Sequence, residues 1–237
     1  MKPELIVAID GPSGAGKSTL SKRLAAALGY LNLDTGAMYR AVALAASRKK
    51  VDLSDEAALG RLAGDVSIDF IRQDSGERVM LDGEDVSQAI RTPEVSLLTS
   101  RVAACAGVRR AMVELQRQMG AKGGVVLEGR DIGTVVFPRA EVKFFLSASA
   151  VERGRRRYEE LKARGLLVEL EQTIVEVEAR DAADSAREHA PLIQAEDALV
   201  IDSTAMTIDQ VLQEMLRVVE LRRRQAGLAG PVAGADR

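Results

Sequence analysis

The chain has 237 residues, 46% hydrophobic and 29% charged, the profile of a soluble globular protein with one buried α/β core plus insertions. A formal net charge of -2 argues against a general nucleic-acid or membrane-surface binder, and 3% aromatics without tryptophan offers no stacking platform for single strands. A single cysteine, Cys105, excludes an internal disulfide, and a single histidine, His189, excludes Ser-His triads and multi-histidine metal sites.

No apolar run approaches the ~20 residues that span a bilayer. The start Met1-Lys2-Pro3-Glu4 has no signal-peptide character, so the expected compartment is the cytoplasm. Ile6-Val7-Ala8-Ile9-Asp10 is apolar and partly β-branched, as a buried strand is. It enters Gly11-Pro12-Ser13-Gly14-Ala15-Gly16-Lys17-Ser18-Thr19 and then a helix-forming segment, which is the P-loop pattern in the strand–loop–helix context it requires. Its glycines let successive backbone N–H groups point into one concavity, and the helix adds its positive end. Lys17 then reaches terminal phosphates and the Ser18 hydroxyl ligates the accompanying Mg²⁺, so the pattern predicts a nucleoside triphosphate site.

Leu20, Leu24 and Leu28 recur every four residues, with Gly29 placed as a helix C-cap. A short strand over Tyr30-Leu31-Asn32-Leu33 follows, closing on Asp34-Thr35-Gly36, and a helix carrying Met38, Tyr39, Val42 and Leu44 runs to Arg48-Lys49-Lys50. Ser54 is placed to N-cap a short helix bearing Leu59 and Leu62. Alternation at Val66, Ile68 and Phe70, a turn over 73–77 and the run Arg78-Val79-Met80-Leu81 predict a β-hairpin. An antiparallel hairpin does not belong in a parallel βα series, so it reads as part of an insertion.

Thr92-Pro93-Glu94 starts a helix with Val95, Leu98 and Val102 on its apolar stripe. Another carries Val108, Met112, Leu115 and Met119 and ends near Gly123-Gly124, and Cys105 reads as core. Val125-Val126-Leu127 and Val142-Lys143-Phe144-Phe145-Leu146 are strands, and Ser149-x-x-Glu152 is a capping box for a helix with Arg153, Arg155, Arg156 and Arg157. A polar helical stretch holds Arg180, Asp181, Asp184 and Arg187. Ala198-Leu199-Val200-Ile201 is the last strand, Thr207-x-x-Gln210 caps a final amphipathic helix, and a frayed tail starts at Gln225. Five strands alternating with helices argue a doubly covered parallel sheet of the α/β class. Ligands in such sheets sit at the carboxyl ends of the strands, where the P-loop, Asp34-Thr35-Gly36 and Gly129-Arg130-Asp131 all fall.

The P-loop alone leaves kinase, GTPase switch, motor and transporter ATPase open. No Asn-Lys-x-Asp guanine motif is present, and arginines beyond the sheet suggest a second anionic substrate. With Leu33-Asp34-Thr35-Gly36-Ala37-Met38-Tyr39-Arg40, Glu84-Asp85-Val86-Ser87, Ile90-Arg91, the string Gly129 to Pro138 and Asp202-Ser203-Thr204, the chain resembles bacterial cytidylate kinases over about 5–220. The resemblance implies an adenylate-kinase-like P-loop core (1–34, 93–150 and 191–224), a monophosphate-binding segment with an enlarged α+β insertion (35–92), a short lid (151–190) and a disordered tail (225–237). It also implies transfer of the γ-phosphoryl of ATP to CMP or dCMP with Mg²⁺; the expected protein is a monomer that binds neither nucleic acid nor membrane.

Residue by residue, the resemblance implies that Thr35, Tyr39, Arg40 and Arg130 surround the monophosphate. Ser100, Arg109 and Asp131 hydrogen-bond cytosine with Arg187 nearby, Arg180 and Asp184 address the ribose, and Arg153 and Arg157 meet the phosphoryl group or ATP. Lys17, Arg130, Arg153 and Arg157 form the catalytic set. Ala182, Ala183, Ser185 and His189 depart from a family pattern that is often more charged there. The competing readings are another small-molecule P-loop kinase, for shikimate or gluconate, and an ATP-regulated binding module. Arg153 to Arg157 also reads as a solvated helix face, and Asp131 as a turn cap.

Overall fold

The computed structural model describes residues 4–73, 76–163, 165–186 and 190–228. Arg187, His189, the hairpin-turn residues 74–75 and the tail beyond 228 therefore lie outside the described residues. Chain contacts divide the molecule into unit 1, residues 1–32 and 122–237, and unit 2, residues 33–121.

Unit 1 is organised by a five-stranded sheet in the order β2-β6-β1-β7-β8, with strands β1 (Ile6–Asp10), β2 (Leu31–Asp34), β6 (Val125–Glu128), β7 (Val142–Ser147) and β8 (Leu199–Asp202). β1 runs parallel to both β6 and β7, so Val7 lies opposite Val126 on one side and Val142 on the other. Val7, Ala8 and Ile9 are fully buried, as a central parallel strand covered on both faces requires. Helix α1 (Lys17–Leu28) contributes Leu20, Leu24 and Leu28, and helix α8 (Ile208–Gln225) contributes Val211, Met215 and Val219, to one apolar cluster with the sheet. Both ends expected from sequence hold: Gly29 caps α1 in the left-handed conformation, and Thr207 with Gln210 forms a reciprocal capping box on α8. Helices α6 (Ala150–Ala163) and α7 (Leu170–Ser185) pack so closely that a Cβ on Gly154 would strike Ile174.

One expected cap is only half built. Glu152 N–H donates to Ser149 Oγ at 3.2 Å, but Ser149 N–H donates to Thr204 Oγ1 at 2.9 Å. The Glu152 carboxylate is taken instead by Arg155 and Arg156, whose bonds hold it down to about 2. Arginine outbids a single N–H because the pair is charge-assisted and bidentate.

Unit 2 holds α2 (Thr35–Arg48), α3 (Glu56–Asp65), strands β3 (Ile68–Gln73), β4 (Gly76–Leu81) and β5 (Glu84–Asp85), α4 (Pro93–Ala104) and α5 (Ala106–Gly120). Its apolar cluster joins Met38, Val42, Leu59, Ile68, Val95 and Met112. The hairpin expected from alternation is present, with Phe70 opposite Val79 and Ile68 opposite Leu81, and β5 adds a third strand too short to show a period. Cys105 is buried at the α4–α5 junction. The cap of α3 is Asp55, not Ser54: Asp52 Oδ1 accepts the Ser54 N–H at 2.8 Å, which keeps Ser54 in the preceding turn, and Asp55 Oδ1 accepts from Ala58 N–H. α4 and α5, grouped with the core by the sequence boundaries, share the unit 2 cluster.

Candidate active site

The loop between β1 and α1 is held by its own backbone and by neighbours within unit 1. Gly16 has φ 93°, a left-handed conformation that favours glycine, and it lets α1 begin at Lys17. A Cβ on Gly11 would collide with the Leu146 carbonyl of β7, so the close approach of loop to sheet also requires glycine. Lys17 is buried, and its Nζ donates to Gly11 O at 2.7 Å and Pro12 O at 2.6 Å. Burial first, then the nearby Arg130 guanidinium, pushes its ammonium well below the usual lysine range, while Glu128 and Asp10 pull the other way and Arg180 adds to the depression.

Ser18 and Thr19 are exposed, and Ser18 Oγ donates to Glu128 Oε2 at 2.7 Å. That hydroxyl beside a carboxylate fits Mg²⁺, which takes one or two protein oxygens and fills its shell with water and substrate phosphates. Among the described residues no cluster of three or more His, Cys, Asp and Glu could hold a metal by itself. Ser18 therefore remains the residue that would hold Mg²⁺, with Glu128 behind it.

Asp10 was not expected from the sequence. It is buried at the end of β1, and its two oxygens accept from Ile132 N–H at 2.8 Å and Gly133 N–H at 2.7 Å. Burial pushes its carboxyl up to about 6, opposed by those two bonds and aided by the Asp131 charge. The residues it holds open a π-helical turn, Ile132–Val136, in which Val136 N–H reaches Asp131 O at 3.2 Å. Such turns are rare and concentrate at functional sites. Arg130 and Asp131 immediately precede it, and Asp131 is buried.

Arg130, Arg153 and Arg157 of unit 1 are already paired. Arg130 Nε donates to Asp184 Oδ2 at 2.8 Å, so the carboxylate expected at a ribose is engaged with a guanidinium and is 2% exposed. Arg153 is buried: Nε donates to Ala148 O at 2.9 Å, Nη1 to Ser13 O at 3.0 Å, and Asp181 pairs with it. It braces the P-loop. Arg157 pairs with Glu160 one turn along α6, and Arg180 is exposed on α7. Arg156, absent from the expected set, donates to Ser203 Oγ and O at 3.0 and 2.7 Å, while Ser203 Oγ donates to Ser147 O at 3.0 Å. The Asp202-Ser203-Thr204 string thus stitches the end of β8 to β7 and α6.

In unit 2, α2 carries Thr35, Tyr39 and Arg40, with Thr35 and Tyr39 buried. Asp34 caps the helix through Ala37 N–H and also accepts from Arg40 Nη2 at 3.0 Å. Arg109 of α5 is buried and stacks over the Tyr39 ring, 5.7 Å from its centroid. Ser100 is exposed on α4. Arg187 lies outside the described residues.

The family profile described as cytidylate kinase matches residues 7–221. A cytidylate kinase of Syntrophotalea carbinolica (strain DSM 2380) is 66% identical over 224 residues, covering 94% of this chain and 95% of that protein. A cytidylate kinase of Bacillus subtilis (strain 168) is 49% identical over 224 residues, covering 94% of this chain and all of that protein. A solved structure of an uncharacterized protein from Eubacterium ventriosum ATCC 27560 has a TM-score of 0.50 at 9% identity, over 92% of this chain and 99% of that one, a likeness of fold alone. The chain belongs to the cytidylate kinase family and is therefore a nucleoside-monophosphate kinase with a P-loop core.

Proposed function

We propose that the chain transfers the γ-phosphoryl group of ATP to CMP or dCMP, giving CDP or dCDP, in a Mg²⁺-dependent step of cytoplasmic pyrimidine nucleotide metabolism. What supports this reading is membership of the cytidylate kinase family, and the buried Lys17 ammonium, pushed down by desolvation and by Arg130 and Arg180, adds the demand for an anion. A polyanion relieves both costs, and a triphosphate is the polyanion a P-loop is shaped to accept.

Lys17 exchanges its carbonyl partners for phosphate oxygens and neutralises charge that grows in the transition state. The acceptor phosphate is itself the anionic nucleophile, so no side chain is required to attack or to remove a proton. Arg40 and Arg130 grip that phosphate, with Thr35 and Tyr39 beside it. Asp131, Arg109 and Ser100 read the cytosine edge, with Arg187 nearby, and Arg180 and Asp184 address the ribose. Arg153 and Arg157 act on the phosphoryl group or on ATP, for which Arg153 must exchange Asp181 for phosphate oxygens. Mg²⁺ at Ser18 supplies further neutralisation of phosphate charge when bound. The protein works as a monomer, without nucleic acid or membrane.

A panel of nucleoside monophosphates with ATP and Mg²⁺ tests the substrate, with CMP and dCMP expected as the best acceptors. A best acceptor outside the pyrimidines would overturn it, and ATP turnover indifferent to every monophosphate would favour an ATP-regulated binding module. Asp131→Asn tests base reading. Cytosine offers an amine donor to Asp131 where uracil offers an oxygen, so the UMP:CMP ratio of kcat/KM should rise by about tenfold or more while CMP activity falls. An unchanged ratio assigns Asp131 a structural role.

A further inference from the structure

Asp34 uses its two carboxylate oxygens differently. Oδ1 accepts from Ala37 N–H at 2.8 Å and caps α2, while Oδ2 accepts from Arg40 Nη2 at 3.0 Å. An N-cap needs only the first of these, which asparagine or serine supplies as well. The second is an ion pair in a semi-enclosed place, with the Asp34 side chain 12% and the Arg40 side chain 24% exposed. Space is left for it: a Cβ on Gly36 would lie 3.1 Å from Asp34 Oδ1 and 3.4 Å from Arg40 Nη1. Glycine in the first turn of a helix costs conformational entropy, and here it clears the path between carboxylate and guanidinium.

Arg40 Nε, in contrast, is buried without a hydrogen-bond partner among the described residues. A desolvated guanidinium N–H left unsatisfied is expensive, and an acceptor oxygen supplied by a ligand removes the cost. Long arginine side chains otherwise lose rotamer freedom on gripping a phosphate, and a carboxylate that fixes the planar fork in advance reduces that loss.

We infer that Asp34 is a positioning residue that holds the Arg40 guanidinium in place, leaving Nε for the phosphate of the acceptor nucleotide. The inference rests on the reading in which Arg40 grips that phosphate. Asp34 touches no reacting atom and acts through Arg40 alone.

Asp34→Asn keeps an oxygen for the cap and loses the charged acceptor for Arg40. Asp34→Ser keeps a capping hydroxyl that is too short to reach it. Steady-state kinetics with CMP varied at saturating ATP, then ATP varied at saturating CMP, separate the two jobs. Both variants should raise KM for CMP by about tenfold, leave KM for ATP within about twofold, and melt near the parent temperature. In an Arg40→Ala background, Asp34→Asn should add nothing further to KM for CMP. An unchanged KM makes Asp34 a cap only, and a lowered KM makes it a competitor of phosphate; either overturns the inference. So does a loss of equal size in the Arg40→Ala background. Should Arg40→Ala itself leave KM for CMP unaltered, the phosphate reading of Arg40 is what has failed, and the inference falls with it for that separate reason.

Discussion

Asp10 in unit 1 and Asp34 in unit 2 both end strands and both accept two hydrogen bonds, but they work at different range. Asp34 reaches Ala37 and Arg40, three and six residues along the chain. Asp10 reaches Ile132 and Gly133, separated from it by 122 and 123 residues. The local carboxylate orders a helix start that its own sequence already favours. The distant one holds a turn whose geometry nothing nearby in sequence dictates, and its burial raises its pKa in doing so. A strand-ending acid therefore has a predictable partner when a helix follows at once, and an unpredictable one when a glycine loop follows.

A division of labour between the two units follows, and the largest expected effect falls on the phosphate loop of unit 1. Lys17→Ala should lower kcat by about 10² or more, because the lost ammonium neutralises charge mainly in the transition state. The fold should persist, since Lys17 bonds only to loop carbonyls. Near-normal turnover in single-turnover assays would remove Lys17 from the mechanism.

Asp10→Asn addresses the long-range anchor. The folded pKa of Asp10, about 6, lies above its ordinary value of 3.8, so the native state binds this proton more tightly than the unfolded chain does. Its stabilising contribution is complete below pH ~3.8 and is lost as pH rises through ~6. Roughly two pKa units correspond to about 3 kcal/mol. Urea denaturation at several pH values should therefore show the parent losing about 3 kcal/mol relative to Asp10→Asn between acid and neutral pH. A pH-independent difference would contradict the assignment.

On the unit 2 side, Arg40→Ala should raise KM for CMP by about thirtyfold, the scale of a charge-assisted bond of about 2 kcal/mol, and spare ATP binding. Arg130→Ala should act on CMP in the same direction but also release the buried Asp184, so its melting temperature should fall as well. Equal losses for both nucleotides in titrations of either variant would mean that the arginines are misassigned. The smallest effect is the purely local control: Asp55→Ala removes the α3 cap, should cost about 1 kcal/mol in thermal melts, and should leave CMP kinetics alone.

Legibility followed the same division. The P-loop, the Thr92-Pro93 start of α4 and the Thr207–Gln210 box could be read because each is complete within a few residues. Ser54 gave way to Asp55 as the α3 cap, and the Ser149–Glu152 box formed only in half, because other residues took the competing bonds: Asp52 in one case, Thr204 and two arginines in the other. Arg153 carried the sequence signal of a solvated charge run, yet it is buried against Ser13, because α6 faces the loop only in the assembled unit.

By itself, then, the sequence determined the five sheet strands and the hairpin, the helices with their main caps, the phosphate loop and, through the Gly129–Pro138 string, the family. Tertiary structure alone decided that β6 and β7 flank β1, that Asp10 holds the turn after Asp131, that Glu128 meets Ser18, and that Asp184 and Asp181 occupy Arg130 and Arg153. The physical reason is range. Backbone propensity and capping act within a turn or two, so residue spacing encodes them directly. Partners from tens to more than a hundred residues apart are chosen by which elements pack together, and that order is set by the burial of whole elements around a shared core.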